Sequence, residues 1–103
     1  MDKQNDMPEE MNKLRKMLDD MGIEWQDMST ILIMDYLVEN LSPIDLTMFR
    51  THFSYNGVRI SVICGHGSYG GEEGLLEMWN GQDDPEGYLT AEDIIKILKG
   101  ERE

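Results

Sequence analysis

Two alternating stretches joined by one dipeptide constrain this chain more than any other feature. Phe49, Thr51, Phe53 and Tyr55 alternate with polar neighbours, and Val58, Ile60, Val62 and Cys64 alternate again after Asn56-Gly57. Successive side chains of a strand point to opposite faces, so each set lines one face. Asn-Gly is the preferred pair for a two-residue type I′ turn, whose central residues both need positive φ. That turn sets Tyr55 opposite Val58, Phe53 opposite Ile60, Thr51 opposite Val62 and Phe49 opposite Cys64. All of them then share a face, which a slip of one residue would destroy. A hairpin over about 47–64 is expected, with Arg50, His52, Ser54, Arg59 and Ser61 on its wetter side.

The flanks supply cover for that hairpin. Met11, Leu14, Leu18 and Met21 recur at helical spacing. Pro8 suits the start of that helix and Gly22 its stop. The stripe reads as packing on the protein's own sheet, with an adaptable methionine-rich partner surface as the alternative. Ile23 to Asp27, around Trp25, reads as a short strand. Residues 28–41 stay open. Ile31, Met34, Val38 and Leu41 fit a helix capped by Asp27 or Ser29, while Ile31 to Met34 could equally begin a strand. Ser42-Pro43 ends the segment.

Beyond the hairpin, residues 65–71 read as a flexible glycine-rich loop. Leu75 to Trp79 read as a third strand or a short helix, and residues 80–87 as an acidic turn. Thr90-Ala91-Glu92-Asp93 has the form of a capped helix start. Ile94, Ile95, Ile97 and Leu98 give that helix a buried side, and Gly100 ends it. The expected fold is α+β: a small antiparallel sheet built on the central hairpin, with helices packed on one face. Residues 1–103 read as one acidic domain with a disordered tail at 1–7.

Charge narrows the partners. Nine Lys and Arg stand against 21 Asp and Glu, a formal net charge of −12 in 103 residues. Such a field repels nucleic acid and anionic lipid, and suits a basic protein surface or a cation. Plain solubility is the bland alternative. A hydrophobic fraction of 40% without any run long enough to span a membrane fits a globular chain. The polar N-terminus lacks the apolar region of a secretory signal. The single cysteine, Cys64, rules out an intrachain disulfide and agrees with a reducing cytoplasm.

Three constellations could carry chemistry. The glycine-rich loop could wrap a phosphate with its backbone N–H groups, but it lacks the Lys-Ser/Thr ending of a P-loop, and Glu72 and Glu73 would repel the ligand. A mobile connection, or a partner contact through His66 and Tyr69, are the other readings. Residues 82–93 can be set against a calcium loop, with Asp84, Glu86, Gly87 and Asp93 at positions three, five, six and twelve. Gln82 at the first position, the short Asp93 and the stiff Pro85 spoil that fit. Cys64-Gly65-His66 could pair a thiol with a base, yet the hairpin register buries Cys64. One cysteine with His52 and His66 falls short of a zinc set. No catalytic residues, metal ligands or cofactor are assigned, and no enzyme is expected.

Residues 50–58, Ser61-Val62-Ile63, residues 67–77 and the ending Gly87 to Asp93 resemble a family of small acidic proteins encoded by phages and prophages of Gram-positive gut bacteria. The likeness covers about the last half of the chain, with the first helix and Trp25. It carries no established activity and no functional residues. It implies an accessory product acting in the cytoplasm of a bacterial host. The expected function is therefore binding to a host or phage protein with a basic surface. An inhibitor of a nucleic-acid-binding defence system, of the anti-CRISPR kind, is its sharper form. Ligand binding at the loop and calcium binding at 82–93 are the alternatives. The contact residues expected are His66, Tyr69, Glu72, Glu73, Asp83, Asp84 and Glu86.

Overall fold

The computed structural model describes residues 8–31, 47–65 and 68–100. Its elements are helix α1 (Glu9–Asp20), strands β1 (Trp25–Asp27), β2 (Thr30–Ile31), β3 (Thr47–Tyr55), β4 (Val58–Cys64), β5 (Leu76–Trp79) and β6 (Glu86–Leu89), and helix α2 (Ala91–Leu98). All strand pairs are antiparallel, in the order β1-β3-β4-β5-β6, with β2 also pairing with β3. The fold is thus α+β, as the sequence predicts.

The central hairpin has the expected register, from Tyr55 opposite Val58 to Phe49 opposite Cys64. Asn56 and Gly57 take φ of 53° and 81°, the left-handed pair that a type I′ turn demands. The inward residues Thr51, Phe53, Ile60, Val62 and Cys64 are buried. They form one core with Met11, Leu14 and Leu18 of α1, Ala91, Ile94 and Ile95 of α2, and Leu76, Met78 and Leu89. Both helices therefore cover the same face of the sheet, and the stripe of α1 packs inward.

Local chemistry fixes the helix ends. Pro8 stands at the N-cap of α1, and Gly22, at φ 75°, follows its end. Thr90 and Asp93 form a reciprocal capping box at the start of α2, each accepting the other's backbone N–H at 3.1 Å. The Glu10 carboxylate accepts the Ala91 N–H at 2.9 Å, tying the helices together where α2 leaves donors unpaired.

One buried charge fastens α1 to the sheet. Arg15 donates from Nε to Thr51 Oγ1 at 2.7 Å, and from Nη2 to Asp27 Oδ1 at 3.1 Å and the Arg50 carbonyl at 3.2 Å. Its guanidinium lies 4.7 Å from the centroid of the Trp25 ring. The helical stripe read from the sequence omits this residue, because its partners come from distant strands.

Three readings are corrected. Asp27 and Ser29 do not cap a helix. Asp27 Oδ1 accepts the N–H and hydroxyl of Ser29, and Thr30–Ile31 follow as strand β2. Any helix within residues 32–46, like the tail at 1–7, lies outside the described residues. The acidic turn stops earlier than expected, because Glu86–Leu89 forms β6. The glycine-rich loop is built rather than loose over its described part, with a 3-10 turn at Gly71–Glu73.

Candidate functional site

The glycines after β4 serve close packing. Gly70 has φ of 89°, and a Cβ there would lie 3.0 Å from the backbone of Tyr88. A Cβ on Gly71 would strike the Gly65 carbonyl, and one on Gly87 would strike the Cβ of Tyr69. The amides are occupied as well. Ser68, Gly71, Glu73, Gly74 and Leu75 donate to carbonyls of the same loop, and the Gly65 N–H goes to Ser68 Oγ. The Tyr69 N–H goes to Glu77 Oε1 at 2.8 Å. A phosphate cradle needs free, convergent N–H groups, and here those named are turned inward.

This scaffold presents two tyrosines. Tyr69 is 61% exposed and Tyr88 59% exposed, and the Tyr88 N–H donates to the Tyr69 carbonyl at 3.2 Å. Together with Ser68, Gly70, Glu72 and Glu73 they line a shallow pocket of about 230 Å³. Tyr88 has φ of 58°, a left-handed conformation that is strained for a bulky side chain. Replacing Tyr88 by glycine should therefore give a protein about 1 kcal/mol more stable than the alanine variant. That order is the reverse of the usual one within a strand. Chemical denaturation of the two variants measures it, and alanine at least as stable as glycine would contradict the strain.

The expected contact residues fall into two groups. Tyr69, Glu72 and Glu73 share the pocket near the start of β5. Asp83 and Asp84 lie in the turn after β5, and Glu86 opens β6. Asp83 and Asp84 lie beyond the far end of β5, whereas Glu86 adjoins Gly87, which packs against Tyr69. Asn80 Oδ1 accepts the N–H of Gln82 and of Asp83, and the Trp79 indole donates to the Asp83 carbonyl, so this turn is shaped by its own side chains. Trp79 remains 47% exposed. His66 lies outside the described residues. Sequence reasoning missed Tyr88 and Trp79. The signal for Tyr88 was its place after Gly87, but its meaning depends on the contact with Tyr69.

Charge and aromatic exposure coincide here. From Ile60 to Ile95 the chain has eight Asp or Glu and no Lys or Arg. Tyr69, Trp79 and Tyr88 are the exposed large aromatic residues among those described, and all lie within that stretch. Carboxylates beside aromatic faces suit a guanidinium or ammonium, through ion pairing and cation–π contact.

The other constellations stand differently. Residues 82–93 do not make one loop, since they divide between a turn, β6 and the cap of α2, where Asp93 is engaged. Among the described residues no group of three or more His, Cys, Asp or Glu is gathered for a metal ion. Cys64 is buried, as the register requires, and burial pushes its thiol up to about 11. At pH 8 a thiol reagent should label native protein only through opening, at a rate that rises with denaturant. Immediate labelling without denaturant would contradict the burial.

His52 and Arg59, on the opposite face of the sheet, line a groove of about 810 Å³ that runs round the β1 edge to Trp25, Phe53 and Asp19 of α1. Burial first, then Arg59 and Arg50, hold the His52 imidazole below its ordinary range, so it is neutral at pH 7.

Among the described residues no helix is long and apolar enough to cross a membrane. No protein-family profile, curated protein or solved structure matches this chain.

Proposed function

We propose that this chain is a non-enzymatic binding protein whose acidic, aromatic surface engages a basic protein. The observation that carries the reading is the gathering of Tyr69, Tyr88, Glu72 and Glu73 around one pocket, in a stretch of chain without Lys or Arg. Tyrosines supply large, rigid contact area, and fully desolvated aromatic residues dominate binding energy at interfaces. The carboxylates steer a basic partner and set orientation more than affinity.

The sharper proposal follows the resemblance to acidic phage proteins. In it the chain acts in the bacterial cytoplasm as an inhibitor of a host defence nuclease, in the manner of an anti-CRISPR protein. Its carboxylates compete with nucleic acid for a basic channel. Binding at the glycine-rich loop by a nucleotide has less support, since most of its described amides are occupied. Calcium binding at 82–93 has less support, since Asp93 serves the helix cap.

A tagged pull-down from host lysate at low and high salt, read by mass spectrometry, tests the reading. One protein with a basic surface should be retained at low salt and lost at high salt. With that partner in hand, Tyr69→Ala should weaken binding by about 2 kcal/mol, roughly thirtyfold. Glu72→Gln with Glu73→Gln should lower the association rate and flatten its salt dependence. A partner held equally at both salts would sink the acidic mechanism, and no specific partner would sink the reading itself.

A further inference from the structure

On the face that the helices leave bare, the central hairpin gathers basic side chains, with Glu77 of β5 in the same row as Arg50. Register places Arg50 and His52 of β3 on that face with Arg59 of β4, opposite Ile63, Ser61 and Ser54 respectively. Although the chain holds 21 acids, neither arginine has an ion-pair partner among the described residues.

The hydrogen bonding is incomplete at the same place. Arg59 Nη2 lies 3.4 Å from His52 Nδ1. A guanidinium only donates, so Nδ1 accepts and the neutral imidazole carries its proton on Nε2. That Nε2 is buried and has no partner, and neither has the buried Nε of Arg50. Unmet buried donors are rare in folded proteins, and each calls for an acceptor. Positions two apart on a strand share a face, with Cα atoms about 6.5–7 Å from each other. The groove beside His52 and Arg59 leaves room for an acceptor, and Arg50 lines a separate hollow of about 110 Å³ with Ser61, Trp79 and the carboxylate-bearing Glu77.

We propose that His52, Arg59 and Arg50 bind one compact oxyanion, a phosphate or carboxylate group of a small molecule, on the helix-free face of the sheet. The site is distinct from the tyrosine pocket, although Glu77 and Trp79 border it at Arg50. A polyanion such as nucleic acid is disfavoured by the overall charge, whereas a single anionic group meets mainly its near neighbours. Asp19 and Glu24 also line the groove and weaken the site. Asp19 is engaged by the Trp25 indole N–H at 2.9 Å.

The full chain would be titrated with inorganic phosphate and, separately, with acetate. Sodium chloride at matched ionic strength serves as the reference, and the His52 ring nitrogens are followed by NMR. A saturating shift at Nε2 is expected with at least one oxyanion, at about millimolar affinity. The titration midpoint of His52 should rise with it. Saturation by phosphate, by acetate or by both would identify the group and support the site. Arg59→Gln changes an exposed side chain and should weaken binding about tenfold, and Arg50→Gln should act in the same direction. Glu24→Gln should strengthen it. The proposal falls if chloride gives the same shift, if neither oxyanion saturates, or if Arg59→Gln leaves the affinity unchanged.

Discussion

Leu76→Ala is expected to cost about 2–5 kcal/mol, because it removes most of a fully buried side chain and leaves a cavity between sheet and helices. Leu76 opens β5, pairs with Leu89 of β6 and shares the core with both helices. A protein of this size has about 5–15 kcal/mol of stability in total, so the loss is a large fraction of it. The melting temperature should fall by roughly 10–40 °C, the upper end if the cavity cannot collapse. Val58→Ala is the informative contrast. Val58 lies on the same face of the hairpin as the core residues, yet it is 39% exposed, and its truncation should change stability by about 0.5 kcal/mol or less. Thermal unfolding followed by circular dichroism compares the two, and equal losses would contradict the placement of the core.

Gly87→Ala is expected to cost about 1–3 kcal/mol by a different route. Its added Cβ would meet the Tyr69 Cβ and lie 2.8 Å from the Tyr69 carbonyl, so the loop and β6 must separate. The hydrogen bond from Tyr88 N–H to the Tyr69 carbonyl would be strained with it. Faster hydrogen exchange at the Tyr88 amide should accompany the lower melting temperature. Gly81→Ala supplies the control, since Gly81 has φ of 85° but nothing within 4 Å of its added Cβ. It should show a backbone penalty without faster exchange at Tyr88. Unchanged stability and Tyr88 exchange in Gly87→Ala would refute the close packing. The same variant bears on function, because it leaves every charge in place. Weaker binding of a basic partner would mean that the shape of the tyrosine pocket matters, beyond the field of the carboxylates.

Elements whose information is local were legible before any tertiary contact was known. Asn56-Gly57 set the turn, alternation set the register, the Met11, Leu14 and Leu18 stripe set the inward side of α1, and Thr90 with Asp93 set the start of α2. Each needs only neighbouring residues and a fixed period, 2 for strands and 3.6 for helices. Strand β6 was hidden, because Glu86-Gly87-Tyr88-Leu89 offers one buried residue, a glycine and a positive φ instead of alternation. The built character of the glycine-rich loop was hidden for a related reason. Composition allows glycine either to move freely or to admit a close neighbour, and only the Tyr69 and Tyr88 backbones decide between them.

The acidity was legible by counting, but its grouping with Tyr69, Tyr88 and Trp79 needed the β5–β6 pairing. The same holds for Arg15, whose partners Asp27, Arg50 and Thr51 lie on strands distant in sequence. It holds again for Arg50, His52 and Arg59, which reach one face through the hairpin register but become unmet donors only through burial. Tertiary structure decided these features because exposure, strain and hydrogen-bond satisfaction depend on what packs nearby, which no local pattern encodes.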